Sequence, residues 1–279
     1  MAISNFIPTI WSENLYEELD KQYIAVANCN REFEGDIKNK GSVVKICGVG
    51  AVNVSDYTKN TDMSDPQLLS ETGTELTIDQ AKCFNFQIDD IDRAQSSPKL
   101  MSSAMKLAAS ALANEADKYI FRLYTQAGRT VHAGYIDDEK VFNHFIDAVT
   151  SLQKNNVMDP DDIVIEVPPV MAAVILKSKV KVLTDNSEAL ENGCIGKIAG
   201  CKVFVSNNVV YDANGDTTTC YCFVRTKRSI AFAEQLSEIE AYRPEKRFSD
   251  AVKGLHLYGA KVVYPKEFLV LVANVASIE

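Results

Sequence analysis

What this sequence lacks narrows its function first. It has no apolar run of the roughly 18 or more residues that a membrane-crossing helix needs, and Met1-Ala2-Ile3-Ser4-Asn5-Phe6 has neither the basic stretch nor the apolar run of an export signal. A chain neither exported nor membrane-spanning is expected. Basic residues are in deficit: 29 Lys and Arg stand against 38 Asp and Glu, for a formal charge of -9. The basic footprint that drives phosphate binding by counterion release is missing, so tight direct binding of nucleic acid is not expected. Histidine is scarce, and His132, His144 and His256 fall in no spacing of a metal helix or nucleophile elbow. Cys29, Cys47, Cys83, Cys194, Cys201, Cys220 and Cys222 are odd in number and contain no CxxC knuckle. They suit small apolar fillers in a reducing compartment better than a disulfide framework or a zinc site. Low-complexity linkers and internal repeats are absent too.

The motifs that come nearest to chemistry fail in detail. Gly193-Cys194-Ile195-Gly196-Lys197-Ile198 imitates a phosphate loop, yet Glu191 stands where its first glycine belongs and Ile198 replaces the magnesium-binding hydroxyl. Gly48-Val49-Gly50 begins a dinucleotide fingerprint, but Asn53 takes the third glycine position and a strand pattern surrounds it. Asp212, Asn214 and Asp216 open like a calcium loop that Thr217 and Phe223 then contradict. Cys220 and Cys222 share a strand face, with Cys194 and Cys201 upstream, without a zinc-ligand spacing. Asp89, Asp90 and Asp92 read as a solvated turn or helix-dipole partners rather than a proton-sharing pair. No catalytic, cofactor or metal residues are therefore assigned, and an enzyme is not expected.

What is present is an ordered series of elements. Trp11, Leu15, Leu19 and Tyr23 recur at i+4 and form one helical stripe, followed by the polar run Asn28 to Asp36. The segment reads as an N-terminal arm. From Gly41 the period becomes two, with Val44, Ile46, Val52 and Val54 on one face; after a polar stretch from Ser55 to Thr74 the alternation returns through Leu76, Ile78, Phe84, Phe86 and Ile88. This predicts a long hairpin with a wide tip. Two strands alone are marginal in water, so the hairpin needs a docking surface, and a neighbouring copy is one candidate. Ser97-Pro98 opens the longest helical pattern, through Met101, Met105, Ala108, Leu112, Ala116, Tyr119 and Leu123 up to Gly128. A second helix is predicted from about Asp138 to Asn155, on Val141, Phe142, Phe145, Ile146, Val149 and Leu152. Next come a buried strand Ile163 to Val167 and a short helix from Pro168-Pro169 on Val170, Ala173, Val174 and Leu176. Strands at Lys202 to Val205 and Tyr221 to Arg225 flank Asn214-Gly215, a hairpin turn signal, and the tail alternates to Val272. The fold class is α+β, strand-rich at both ends.

Several segments carry a family resemblance: Leu76 to Gln95 leading into Ser97-Pro98, then Gly196 to Gly200 with Val203 to Asn208, Ser229 to Gln235, and Val252 to Val262. In this order they resemble the major capsid proteins of tailed bacteriophages, whose coat fold is named for phage Hong Kong 97 and shared by encapsulins. The resemblance implies an arm at 1–40, an extended loop at 41–75, a peripheral domain at 76–137 with a spine helix, an axial domain at 138–236 and peripheral strands at 237–279. It implies a virion subunit that is assembled in the bacterial host cytoplasm and closes through pentamers and hexamers into an icosahedral head around double-stranded DNA. A separate scaffolding protein, a portal and head-completion proteins are the implied partners, with no sequence-specific DNA contact and no membrane. An encapsulin-like compartment and, further off, a soluble enzyme are the alternatives. Trp11, Leu15, Leu19, Tyr23, Val44, Ile46, Val52, Val54, Leu76 and Ile78 are the expected subunit-interface residues, because arm and hairpin carry apolar area that a lone subunit cannot easily cover.

Overall fold

The computed structural model describes residues 22–33, 41–49, 71–89, 100–138, 140–157, 159–178, 194–245 and 248–276, together with positions 15, 18, 19, 56 and 59. Strands β1 (Val43–Val49), β2 (Glu71–Thr77) and β3 (Gln80–Asp89) precede helix α1 (Leu100–Phe121) and β4 (Arg129–Tyr135). Then follow α2 (Val141–Gln153), β5 (Ile163–Val167), α3 (Pro169–Lys177), β6 (Cys194–Ile198), β7 (Cys201–Val205), β8 (Tyr211–Asn214) and β9 (Thr217–Thr226). The chain ends with β10 (Ile230–Tyr242), β11 (Ser249–Val262) and β12 (Phe268–Ala276). Three sheets result: the β1-β2 hairpin, a three-stranded sheet β10-β11-β3, and a seven-stranded sheet β4-β12-β9-β5-β7-β6 with β8 attached to β9.

Side-chain alternation builds the layers. On β9 and β12, Cys220, Cys222, Val224, Leu269 and Leu271 face a core shared with α2 and α3, while Phe223, Phe268 and Val270 face a second core shared with α1. The three-stranded sheet alternates likewise: Phe232, Tyr258 and Ala260 turn toward α1, and Ala231, Ala233 and Leu257 turn toward the hairpin. From one side to the other the order is hairpin, three-stranded sheet, spine helix, seven-stranded sheet, α2 with α3. A sheet covered on both faces accounts for the near-continuous apolar runs at Ile163 to Val167 and Phe268 to Leu271.

Helix α1 has 22 residues, a span of about 33 Å at 1.5 Å per residue, and is buried on more than one side because sheets lie on both. Met105, Leu112, Ala116 and Leu123 are buried as their spacing predicted, and Ala109, Ala113, Asp117, Ile120 and Phe121 are buried beside them. The start signal Ser97-Pro98 lies outside the described residues. On α2 the expected stripe holds except at Ile146, which is 43% exposed; on α3, Leu176 is 62% exposed while Met171, Ala172 and Ile175 are buried. Periodicity places a face only to within about one residue of rotation on so short a helix. A hairpin does join β8 to β9, but its two-residue loop is Gly215-Asp216, since Asn214 still pairs with Thr217, and Gly215 takes the left-handed conformation (φ 61°). The stretch that imitates a phosphate loop is a strand, β6, from Cys194 to Ile198.

Two expectations need correction. Leu15, Leu19 and Tyr23 are buried inside the subunit's own core, against α1 and the three-stranded sheet, and so are not free for a neighbour. Val44, Ile46, Leu76 and Ile78 are buried in the same subunit against Ala231, Ala233 and Leu257. The hairpin root found the surface it needed at home. Gly259 of β11 permits the close approach: a Cβ there would lie 2.3 Å from the Thr77 carbonyl oxygen. Trp11, Val52 and Val54 lie outside the described residues. In the tail, β12 lies between β4 and β9 in the seven-stranded sheet and β11 in the three-stranded one.

Because Leu76 is wholly buried in the hairpin-root core, Leu76→Ala should destabilise the unassembled subunit by about 2–5 kcal/mol, read as a lower denaturant midpoint. An unchanged midpoint would return the hairpin root to the surface.

Candidate functional site

The N-terminal segment Tyr23 to Arg31 joins every layer between the hairpin and α2, and it does so with buried charge. Its middle is a single 3-10 turn, Val26–Asn28, too short to satisfy its own backbone ends. Asp117 of α1 supplies the amino end: its Oδ2 accepts from the Ile24 amide at 3.1 Å and its Oδ1 from the Ala25 and Val26 amides, each at 3.1 Å. Arg225 of β9 supplies the carbonyl end, donating through Nη1 to Asn28 at 2.6 Å and through Nη2 to Ala25 at 3.2 Å. An acid at the N–H end and a base at the C=O end match the polarity of a helical turn.

Arg225 is held in turn by Glu166 of β5, with Nε and Nη2 each 2.9 Å from a carboxylate oxygen, and neither side chain is exposed. The two residues are diagonal neighbours on one sheet face: Arg225 lies opposite Val164, and Glu166 opposite Phe223. Burial disfavours the charged guanidinium, but Glu166 outweighs it and raises Arg225, which stays protonated. Burial likewise pushes the Glu166 carboxyl up, against Arg225 and the Asn28 amide, which donates to it at 3.4 Å. Burial pushes the Asp117 carboxyl up to about 7 although three backbone donors pull it down, and Glu166 adds to the rise.

A second buried cluster fixes the two ends of the segment to the three-stranded sheet. Glu234 of β10 accepts from the Tyr23 hydroxyl, lies 2.8 Å from Arg31 Nη2 and 2.8 Å from His256 Nε2 of β11. Burial and the Glu234 charge both raise the Tyr23 phenol, which keeps its proton and donates. Asn30 then adds main-chain bonds to β10, from its amide to Ile230 and from the Phe232 amide to its carbonyl, each at 2.9 Å.

None of these charged residues was singled out from sequence. The signal was there: Glu166 is the one charge within Ile163 to Val167, and Asp117 lies at i+4 from Ala113 and i−4 from Phe121, on a buried face. The sulfur-bearing candidates behave as fillers. Cys201, Cys220 and Cys222 are unexposed, burial pushes Cys201 and Cys220 up to about 11 and Cys222 well above the usual thiol range, and among the described residues no three potential ligands gather for a metal. His132 is exposed and His144 half-buried on separate elements, and Asp212 and Asn214 lie in the exposed strand β8, so neither set encloses a site.

A buried polar hub thus ties the N-terminal segment, the spine helix and two sheets together. No protein-family model and no curated protein sequence matches the chain. Solved structures do. A chain of Mycobacterium phage Che8 is 31% identical, with 90% of this chain and 91% of that one covered and a TM-score of 0.67. The capsid of Ralstonia phage GP4 gives a TM-score of 0.67 at 11% identity, covering 94% and 91%. A virus-like particle from Pyrococcus furiosus gives 0.56 at 11% identity, covering 93% and 96%, which is a likeness of fold alone. The arrangement is the coat fold of tailed phages. This chain belongs to the tailed-phage major capsid protein family: a component of the virion capsid, built into a shell of many copies, and not an enzyme.

The hub leads to two expectations. Arg225→Met alone leaves Glu166 buried and uncompensated and should destabilise the subunit by about 3–5 kcal/mol, whereas Arg225→Met with Glu166→Met should lose clearly less, measured by denaturant titration. Cys220→Ala with Cys222→Ala should leave assembly and the response to chelator unchanged at a modest loss of melting temperature; Ser at these unexposed positions would bury two hydroxyls and lose more.

Proposed function

We propose that this protein is the subunit of a closed icosahedral head, assembling through pentamers and hexamers around a double-stranded DNA genome. The observation that carries the reading is the 31% identity to the Che8 chain across nine-tenths of both chains. Closed rings require heterologous contacts, in which one patch meets a different patch on the next copy. Three parts of this subunit supply such patches. The arm ahead of Leu15 carries Trp11, the hairpin beyond Val49 carries Val52 and Val54, and the turn between β10 and β11 presents Phe248, which is 82% exposed. The roots of arm and hairpin are anchored within the subunit.

The domain scheme follows the same division. The arm is 1–40, the extended loop 41–75, the peripheral domain α1 with β3, β10 and β11, and the axial domain α2, α3 and the seven-stranded sheet. A separate scaffolding protein, a portal and head-completion proteins are the partners this scheme implies. The excess of nine negative charges suits a wall that encloses DNA without gripping it or reading its sequence. The head would be built in the cytoplasm of the bacterial host.

Full-length protein expressed with its scaffold should form shells, tubes or capsomers by light scattering and electron microscopy; a stable monomer at high concentration would sink the reading, and one enzyme co-purifying inside empty particles would favour a cargo compartment instead. Replacing 50–70 with a short Gly/Ser turn should keep a cooperative melt and helical circular dichroism, because the buried root at Val44, Ile46, Leu76 and Ile78 is spared, yet prevent closure. Trp11→Ala should lower shell resistance to denaturant by more than it lowers subunit stability, since burying a large aromatic contributes about 2–3 kcal/mol at each copy of a contact.

A further inference from the structure

We propose, on the reading that copies of this chain close a shell, that the open part of the seven-stranded sheet, centred on Val272 and bounded by Tyr124, Tyr135 and Tyr221, is a docking face for a second copy of the chain.

One face of this sheet is closed over part of its length only. Where it meets α1 and the N-terminal segment, Phe223, Arg225, Phe268 and Val270 are buried. Two residues further along the same face of β9 and β12 the cover thins: Tyr221, Thr219, Val272 and Asn274 are half-buried, and on the adjoining edge strand β4 Thr130, His132 and Tyr135 are exposed. Strand pairing brings them onto one surface. Val272 stands between Tyr221 and His132, and Asn274 between Thr219 and Tyr135.

Tyr135 belongs to that surface because β4 carries a bulge. The register against β12 shifts between Val272, opposite His132, and Ala273, opposite Gly134, so that β4 spends one extra residue there. Uninterrupted alternation would turn Tyr135 to the side of Val131 and Ala133, which pack into the core shared with α2 and α3. Instead Ile136 enters that core, and Tyr135 comes to lie beside Asn274 with 59% of its surface exposed. Gly134 supplies the left-handed backbone at the bulge (φ 68°). Tyr124, in the turn after α1, tilts against Tyr221 with ring centroids 4.9 Å apart, and the Thr219 hydroxyl donates to Asn274 at 2.8 Å. The surface is therefore set in advance, with rings and short polar groups already held by their neighbours.

Chemistry selects a protein as the occupant. Tyrosine is enriched where protein surfaces meet, because each ring buries apolar area while its hydroxyl still finds a partner. Asp212 and Asp216, exposed on the adjoining β8–β9 hairpin, disfavour a polyanion. The chain is built into a shell of many copies, so the protein surface that surrounds it is its own. The bulge also fixes the manner of contact. It bends the free edge of β4, which discourages strand addition, so the neighbour packs on the face through side chains instead of extending the sheet.

Photo-crosslinking in assembled particles of the full-length protein tests this. With benzoylphenylalanine in place of Tyr135, particles assembled from mixed light and heavy isotope-labelled copies should yield crosslinked peptides that carry one label of each kind. Tyr135→Glu and His132→Glu should each lower shell yield about tenfold or more, while the unassembled subunit keeps the parent's denaturant midpoint because both side chains are exposed. Crosslinks confined to one chain, or made only to the scaffold, would overturn the docking face, as would full shell yield in both Glu variants. Should a Glu variant not fold, the crosslink alone decides. A parent that forms no particles overturns the closed-shell reading and the docking face together, whereas intact shells without a copy-to-copy crosslink overturn the docking face only.

Discussion

The Arg225–Glu166 pair is the constraint on which the subunit's other arrangements depend. A guanidinium without accessible surface must satisfy its donors within the protein, and Glu166 takes only part of them. The remainder go to the carbonyls of Ala25 and Asn28, which obliges the N-terminal segment to lie across the seven-stranded sheet. Once there, the segment exposes three amides toward α1, and Asp117 must meet them. The pair is thus less a source of net stability than a device that leaves one acceptable position for the segment between helix and sheet.

That position determines which surfaces are left for neighbours. The segment passes from the seven-stranded sheet to the three-stranded one, where Tyr23, Arg31 and His256 converge on Glu234 and Asn30 bonds to β10. The three-stranded sheet is then covered on its inner face by α1 and on its outer face by the hairpin root. With both faces used, the most exposed large apolar side chain among the described residues is Phe248, just before β11.

The order of elements, the α+β class, the Asn214-Gly215 hairpin and the strands at β1, β5, β9 and β12 were legible from the sequence, because side-chain periodicity and turn chemistry are local properties. The same local information identified the apolar stripes of arm and hairpin but not their partners. A stripe states that something must cover it, without saying whether the cover is the same chain. Leu15, Leu19, Val44, Ile46, Leu76 and Ile78 met their own sheets, and only sequence-distant contacts at Ala231, Phe232 and Leu257 could decide that.

The charged hub was settled one step further from the sequence. Glu166 and Arg225 are 59 positions apart, Asp117 and Ala25 are 92 apart, and Tyr23 and Glu234 are 211 apart, so no window of sequence contains any of these interactions. What the sequence by itself determined was the set of elements, their faces, and the absence of a catalytic or metal constellation in any recognisable spacing. Tertiary structure alone decided which faces close on the subunit and which charges are buried together. The physical reason is that burial and ion pairing depend on distance in space, and the layered folding of three sheets around one helix creates that proximity.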